Sequence, residues 1–425
     1  MHHVVAIVLS AAMVAVVAHG AAPAEGARRT TAPLEAAFPR ESYAPGSTAE
    51  LRLFTPTRLV SLQLFRAGTE RVSTRARDVV NGVAVDRRRW VGTRPAGTPV
   101  PLRIGNWPSG LYFARLVAKD GALAYAPFVV RPRRIGVHRI AVVLPTQTWQ
   151  AYNFRDDDGD GKPDTWYAGN GNTARLGRPF LNRGVPPHFR HYDLPFLHWL
   201  SRTGKKVDVL SDAELNATAS GSALASAYDL IVFEGHHEYV TDHEYAVVRR
   251  YRDLGGNLMF LFANDFFWRI AIKDSVMTRT NKWRDLGKPE AALIGVQYRA
   301  NDRGEKKGAW ILRDTEATPW LVAGTRLRAG SRIGRGGIEI DGRAAGSPPS
   351  LHLLADIPNL YGPGITAQMS YYETPAGAKV FAAGAFDLVE SILEPDRPLP
   401  DPLAQKNQPA ARRLLENLWA RLSRP

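Results

Sequence analysis

The chain has 425 residues, of which 44% are hydrophobic and 23% charged. That balance supplies a sizeable core and excludes disordered, collagen-like and coiled-coil classes. No cysteine is present, which removes disulfides, thiolate metal sites, iron–sulfur clusters and cysteine nucleophiles. The formal charge is +14, yet the basic residues are scattered arginines with no run longer than Arg87–Arg89. This is the pattern of a solvated basic surface, and no nucleic-acid partner is expected.

Val4 to Val17 is an almost unbroken apolar run followed by the small residues Gly20-Ala21-Ala22-Pro23-Ala24. Its length suits a secretory h-region and falls short of a bilayer span. Residues 1–24 are therefore expected to be a signal segment, cleaved or anchoring, and the protein to be exported (periplasmic or extracellular). No later stretch is apolar enough for stable membrane insertion.

Residues 37–132 read as short strands punctuated by turns. Leu51–Phe54, Leu62–Phe65 and Leu111–Leu116 carry strand patterning, and Pro45-Gly46, Asn81-Gly82 and Trp107-Pro108-Ser109-Gly110 carry turn chemistry. An antiparallel immunoglobulin-like β-sandwich is expected, without a concentrated polar constellation.

From residue 137 to 425 the pattern changes. Ile140–Leu144, Val207–Leu210, Leu230–Phe233 and Leu258–Phe262 are continuous apolar runs, as in strands buried on both faces. Between them lie helical stretches: Phe196–Arg202, and a helix opening after Thr241-Asp242 with Glu244 behind it and closing at Gly255-Gly256. The expected fold is α/β, a mostly parallel sheet flanked by helices. Further strands are expected at Leu351–Leu354, Thr366–Tyr372 and Lys379–Ala383, glycine-rich turns at Gly330–Gly337, and a closing helix at Ala410–Leu422.

Ligands of open parallel sheets bind beyond the carboxyl ends of the strands. There the sequence delivers Tyr152 and Asn153 after the first run, Glu234-Gly235-His236-His237-Glu238-Tyr239 after the third, and Asn264-Asp265 after the fourth. Aromatic hydroxyl, imidazole, carboxylate and amide groups thus converge on one rim. His236, His237 and Glu238 can serve as metal ligands or as a general base, although such a triplet more often makes ordinary hydrogen bonds. Zinc-protease chemistry is disfavoured because no His-Glu-x-x-His occurs.

A second signal is Asp156-Asp157-Asp158-Gly159-Asp160-Gly161-Lys162-Pro163-Asp164. Asp156, Asp158, Asp160 and Asp164 occupy the first, third, fifth and ninth positions of an EF-hand-like loop with glycine at the sixth, a spacing suited to a structural calcium ion. The twelfth position is Tyr167 in place of glutamate, and the alternative is a solvated acidic turn. The glycine-rich stretch Gly330–Gly337 lacks a phosphate-binding ending, and no Gly-x-Ser-x-Gly elbow occurs.

Leu144-Pro-Thr-Gln-Thr-Trp-Gln-Ala-Tyr-Asn153, Gly235-His-His-Glu-Tyr239, Gly255–Asn264 with Phe267-Trp268, and Glu373–Gly384 together resemble the large (beta) subunit of N,N-dimethylformamidase and its relatives. The resemblance covers residues 137 to 390, and Trp107–Tyr112 resembles the end of that family's preceding β-sandwich. It implies a glutamine-amidotransferase-like domain (class I) without the cysteine. It also implies an iron, expected as iron(III), held by two tyrosines and a glutamate. Carried onto this chain, these are Tyr152, Tyr192 and Glu238, with Tyr167 the competitor of Tyr192. His236, Asn264 and Glu373 become the catalytic candidates: His236 to orient or protonate, Asn264 to support an oxyanion, Glu373 as general base or proton shuttle. The implied activity is hydrolysis of C–N bonds in small, linear amides. The family enzyme works with a small partner subunit, for which this chain gives no indication; a homo-oligomer is compatible with the sequence. Two other readings stay open: a calcium-stabilised exported binding or surface protein that keeps only the fold, and a divalent-metal hydrolase using His236 and His237.

Overall fold

The computed structural model describes residues 34–54, 57–70, 76–169, 171–394 and 397–424. The expected signal segment, residues 1–24, lies outside them.

The first module is two facing sheets. One joins Ala36–Ala37, Thr48–Leu53 and Pro99–Arg103; the other joins Ser42–Tyr43, Leu123–Val130, Gly110–Ala118 and Thr57–Arg66, with Val83–Ala84 and Arg89–Arg94 paired to the last. Thr48–Leu53 alternates exposed and buried residues, so its apolar side chains line one face. Leu51, Leu53, Leu62, Leu64, Leu102, Tyr112, Leu116 and Phe128 fill the space between the sheets. The antiparallel expectation is corrected at one edge, where Ser42–Tyr43 runs parallel to Leu123–Val130.

The second module is built on a large mixed sheet. Asp208–Ser211, Ile140–Leu144, Leu230–Phe233, Asn257–Phe260 and Lys379–Ala382 are parallel neighbours in that order. From Lys379–Ala382 outward every pairing is antiparallel, through Ala367–Glu373, His352–Ile357, Lys307–Leu312 and Arg332–Gly342 to Gln297–Asn301. The expected class, a mostly parallel sheet flanked by helices on the amidotransferase pattern, is therefore wrong. Strands hold 33% of the described residues against 22% in helices, and the sheets are mixed and antiparallel. The cause is connection length. Ala367–Glu373 reaches Lys379–Ala382 through residues 374–378, whereas a parallel crossover needs about a dozen residues. A separate four-stranded sheet joins Thr173–Arg175, Val276–Lys282, Trp268–Lys273 and Tyr239–Thr241.

Local chemistry explains the helices. Asp242–Asp253 starts at a capping box in which the Thr241 hydroxyl accepts from the Glu244 amide and Glu244 accepts from the Thr241 amide at 2.6 Å. The glycine-rich stretch expected to turn lies instead largely in strand Arg332–Gly342. Glycine is required there for close approach: a Cβ on Gly336 would sit 2.7 Å from Ile357 Cδ1 and 2.9 Å from Trp310 Nε1.

The two modules share a core. Phe65, Leu111, Phe113 and Val129 of the first join Val142, Trp149, Phe189, Phe196 and Leu418 of the second. No helix among the described residues is long and apolar enough to cross a membrane.

Candidate active site

The parallel strands aim their carboxyl ends at one rim, and the chain segments leaving them carry the polar groups. Strand Ile140–Leu144 runs through Pro145 into the short, wholly buried helix Thr146–Ala151, whose last turn presents Tyr152. The Tyr152 amide donates to Thr148 O at 3.0 Å, which holds the backbone at Tyr152. Beyond strand Leu230–Phe233, Glu238 is held by its own carbonyl, which accepts from the amides of Phe267 at 3.0 Å and Trp268 at 2.9 Å.

The Tyr152 hydroxyl donates to Glu238 Oε2 at 2.7 Å, and the Tyr167 hydroxyl donates to the same oxygen at 3.0 Å. The two phenol rings stack with centroids 4.6 Å apart. Tyr239 bonds the Tyr167 hydroxyl and accepts from Trp166 Nε1 at 3.3 Å. Glu238 is 3% exposed, while both phenol rings are partly exposed. Of the tyrosines expected to hold a metal, Tyr152 is therefore in contact with Glu238 and Tyr192 is not. Tyr192 packs on Phe262, Phe386 and His188 instead, and Tyr167, its competitor, takes the position beside Tyr152.

His236 lies over this cluster, its ring 5.7 Å from that of Tyr152 and 4.7 Å from that of Phe386. Its Nε2 is buried without a hydrogen-bond partner, 3.7 Å from Glu238 Oε2 and 3.6 Å from Glu339 Oε2. Asn264 reaches the same place. Its backbone, at a left-handed φ of 57°, donates to Asp341 Oδ1 at 2.9 Å, and its side chain lies beside Glu339 with its Oδ1 buried and unpartnered. Glu339 was not foreseen. It enters the site because strand Arg332–Gly342 slips register on both flanks near it and Ile338 adopts φ 66°. Such a bulge re-aims one side chain, and a β-branched residue holds that φ only under constraint.

Glu373 is not part of this site. Antiparallel pairing sets it opposite Lys379, at the far end of the sheet from Ala382 and the rim. There it accepts from Arg421 at 2.7 Å on the surface. The expectation of a proton shuttle at Glu373 is corrected: a strand that enters the sheet in reverse carries its carboxyl end away from the rim.

His237 is turned from the phenol cluster, Nδ1 donating to Gly235 O at 3.0 Å and its ring against Phe233. Among the described residues, the three-member group whose carboxylate or imidazole atoms lie within 4.8 Å of one another is Asp156, Asp158 and Asp164. His236 and His237 belong to no such group, so a paired-histidine metal site gains no support. In the acidic loop, Gly159 and Gly161 amides donate to Asp156 at 2.7 and 3.0 Å, and Asp160 stands apart, accepting from the Lys162 amide at 2.7 Å.

Burial sets the electrostatics. It pushes the Glu238 carboxyl up to about 7 against the lowering effect of hydrogen bonds from the tyrosines. Burial and the Glu238 charge hold both phenols well above their ordinary value. Glu339 is raised by burial and by Glu238, and His236 is held far below the usual imidazole range by burial. In the absence of a cation the cluster is thus close to neutral, with its hydroxyl protons on the tyrosines. A cation would reverse that preference, since it favours the anionic form of each donor. Two phenols and a carboxylate oxygen, converging without sulfur, form a hard donor set of the kind that fits iron(III).

A cleft lined by Phe38, Glu41, Thr146, Trp149 and Arg178 opens where the two modules meet. None of the site's polar residues lines it.

A curated relative, the N,N-dimethylformamidase beta subunit of Alcaligenes sp, is 22% identical over 258 residues, a match that takes in 47% of this chain and 34% of that protein. Among solved structures, the mmIFT52 N-terminal domain aligns with TM-score 0.32 at 12% identity, over 54% of this chain and 90% of its own. A superoxide reductase (neelaredoxin) from Ignicoccus hospitalis aligns with TM-score 0.18 at 15% identity, over 26% and 89%. Neither structural likeness is close enough to bear on the fold. The family model for the N,N-dimethylformamidase beta subunit-like, C-terminal region matches residues 83–396, which spans most of the chain and every residue of the site, and the chain belongs to that family.

Proposed function

We propose that this protein hydrolyses the C–N bond of amides at the Tyr152–Tyr167–Glu238 cluster, and that these three residues hold an iron ion there. The observation that carries the reading is the convergence of two phenol hydroxyls on one oxygen of a buried glutamate. Three largely buried donors with no Lys or Arg ion-paired to them among the described residues are costly to ionise. A resident cation is the simplest reason for a fold to keep them together. When bound, iron(III) would supply Lewis acidity toward an amide carbonyl and toward water.

The chain's own residues account for the rest. Asn264, its backbone fixed by Asp341, supports the developing oxyanion through its Nδ2 N–H donors. His236 is neutral at working pH, and its unpartnered Nε2 accepts the proton of the attacking water. Glu339, kept protonated by burial, is the acid nearest to His236 and returns a proton to the leaving amine. Phe386, against His236, keeps bulk water from competing for these protons. A structural calcium ion on Asp156, Asp158 and Asp164 is a separate proposal, supported by the proximity of their carboxylates; Asp160 drops out of the ligand set.

Elemental analysis of the purified protein with its visible spectrum tests the reading. Stoichiometric iron and a tyrosinate-to-iron(III) band are expected, together with release of amine from a panel of small amides. A colourless protein without iron after expression in iron-replete medium overturns it. In that case a binding protein that keeps the fold becomes the better description.

A further inference from the structure

The amide-hydrolase reading leaves the charge of the substrate open, and the residues beside the cluster address it. Strand Val276–Lys282 runs along one flank of the phenols and presents two cations. The Arg279 guanidinium lies 4.7 Å from the ring centroid of Trp268 and 5.6 Å from that of Trp166. Lys282 Nζ lies 5.2 Å from the ring of Phe267 and 5.5 Å from that of Trp268. Direct contacts lead from there to the site. Trp166 touches Tyr239, whose hydroxyl meets that of Tyr167, which donates to Glu238. Arg279 is close enough that its charge registers at Glu238, whose carboxyl is raised chiefly by burial.

Neighbouring cations are committed elsewhere: Arg269 pairs with Asp242, and Arg284 is held by Glu290. Arg279 and Lys282 form no ion pair with a carboxylate among the described residues. A guanidinium stacked on an indole keeps its in-plane N–H donors available for an anion. Stacking also removes the rotamer freedom that an exposed arginine would lose on binding. Two positioned cations on aromatic faces, beside the phenol–glutamate cluster, are therefore built to receive a negative group.

Resting on the amide-hydrolase reading, we propose that the substrate is an amide that also carries a carboxylate, and that Arg279 and Lys282 bind that carboxylate while the amide reaches the Tyr152–Tyr167–Glu238 cluster. In such a substrate the amide is cleaved at one end and the anion fixes the register at the other. A neutral formamide would lack the second contact and bind weakly.

The test is calorimetric binding of N-formylglycine and N-formylglycinamide to the purified full chain at low and high salt. The two probes share the formamide and differ in the terminal carboxylate. N-formylglycine is expected to bind at least about tenfold tighter, the size of one charge-assisted hydrogen bond, with the advantage shrinking in salt. Arg279→Gln should erase most of that ratio and Lys282→Gln part of it; the second variant and the salt series decide the matter if Arg279→Gln does not fold. Equal affinities, no binding of either probe, or a ratio that survives both substitutions overturns the proposal. Amine release is measured in parallel. A carboxylate preference without cleavage of either probe leaves the anion site standing and rejects the hydrolase reading, whereas cleavage of both with equal affinity does the reverse.

Discussion

Tyr152 and Tyr167 stack face to face and give their hydroxyl protons to a single oxygen of Glu238. They are separated in sequence by the acidic loop, and the loop is what allows the second ring to fold back onto the first. The short helix Thr146–Ala151 supplies one tyrosine, and Thr165, through its hydrogen bond to Ala151 O, pins the segment that supplies the other. The pair therefore depends on a connection that the strand pattern does not describe.

Removal of one hydroxyl separates the two candidates for the second tyrosine. Tyr167→Phe should lose the tyrosinate-to-iron band and most of the bound iron, at a stability cost of about 1 kcal/mol for the lost hydrogen bond. Tyr192→Phe should keep both, because its ring packs on Phe262 and Phe386 away from Glu238. Iron content and absorption of the two variants check this, and loss of iron in Tyr192→Phe alone would refute the assignment.

The two glutamates of the antiparallel half of the sheet should behave oppositely. Glu339→Gln removes the acid beside His236 and should lower amide turnover by about a hundredfold, the usual range for a positioned acid or base. Glu373→Gln breaks an exposed pair with Arg421 and should cost no more than about 1 kcal/mol, with turnover retained. Steady-state rates and thermal melts of both variants measure the contrast; a large loss in Glu373→Gln would restore it to the mechanism.

Much of the rim was legible because it follows from strand direction. Ile140–Leu144 and Leu230–Phe233 read as buried strands and are found as such, so Tyr152, His236, Glu238 and Asn264 arrive together. The Thr241–Glu244 capping box was equally plain. What failed did so for identifiable reasons. The antiparallel half turns on the short connection at residues 374–378, which apolar patterning does not register, and Glu373 was consequently assigned to the wrong end. Glu339 is flanked by Ile338 and Ile340, an alternation that marks a strand, but the glycines before it read as a turn. Close packing explains them: Gly336 lies against Trp310 and Ile357, and Gly337 against the backbone of Lys306. Tyr167 was visible as the residue standing where an EF-hand-like loop would carry its glutamate.

The acidic loop yields a stability prediction. Added calcium should raise the melting temperature, and a calcium chelator should lower it. Asp158→Asn should abolish the response because Asp158 belongs to the close carboxylate group. Asp160→Asn should leave it largely intact, since Asp160 lies outside that group. Thermal melts with and without calcium decide it, and an unresponsive wild-type protein would leave the loop as a hydrogen-bonded turn.

The metal-free protein should lose stability as pH rises from about 6.5 to 8. Burial raises Glu238 and Asp341 to about 7 and Asp193 and Glu244 to about 8, all far above their unfolded values. The folded chain thus retains protons that the unfolded chain has released. Stability carried by such groups is fully present below the unfolded carboxyl range and is lost as pH climbs through the folded values. Each carboxyl that stays protonated contributes a slope of up to about 1.4 kcal/mol per pH unit. His236 and His237 are depressed by burial, His237 to about 3, so their contribution is present above about 6.5 and is lost on acidification. Near pH 6.5 the unfolded imidazoles are still partly protonated and give an opposing slope that fades by about 7.5, but two imidazoles act against four carboxyls, so the carboxyl loss sets the sign across the window. Iron binding needs the deprotonated donors, so iron-loaded protein should show a flatter profile across the same range. Melting temperatures of chelator-stripped and iron-loaded protein at half-unit pH steps test both statements, and a stripped protein that gains stability toward pH 8 would contradict proton retention by these buried carboxyls.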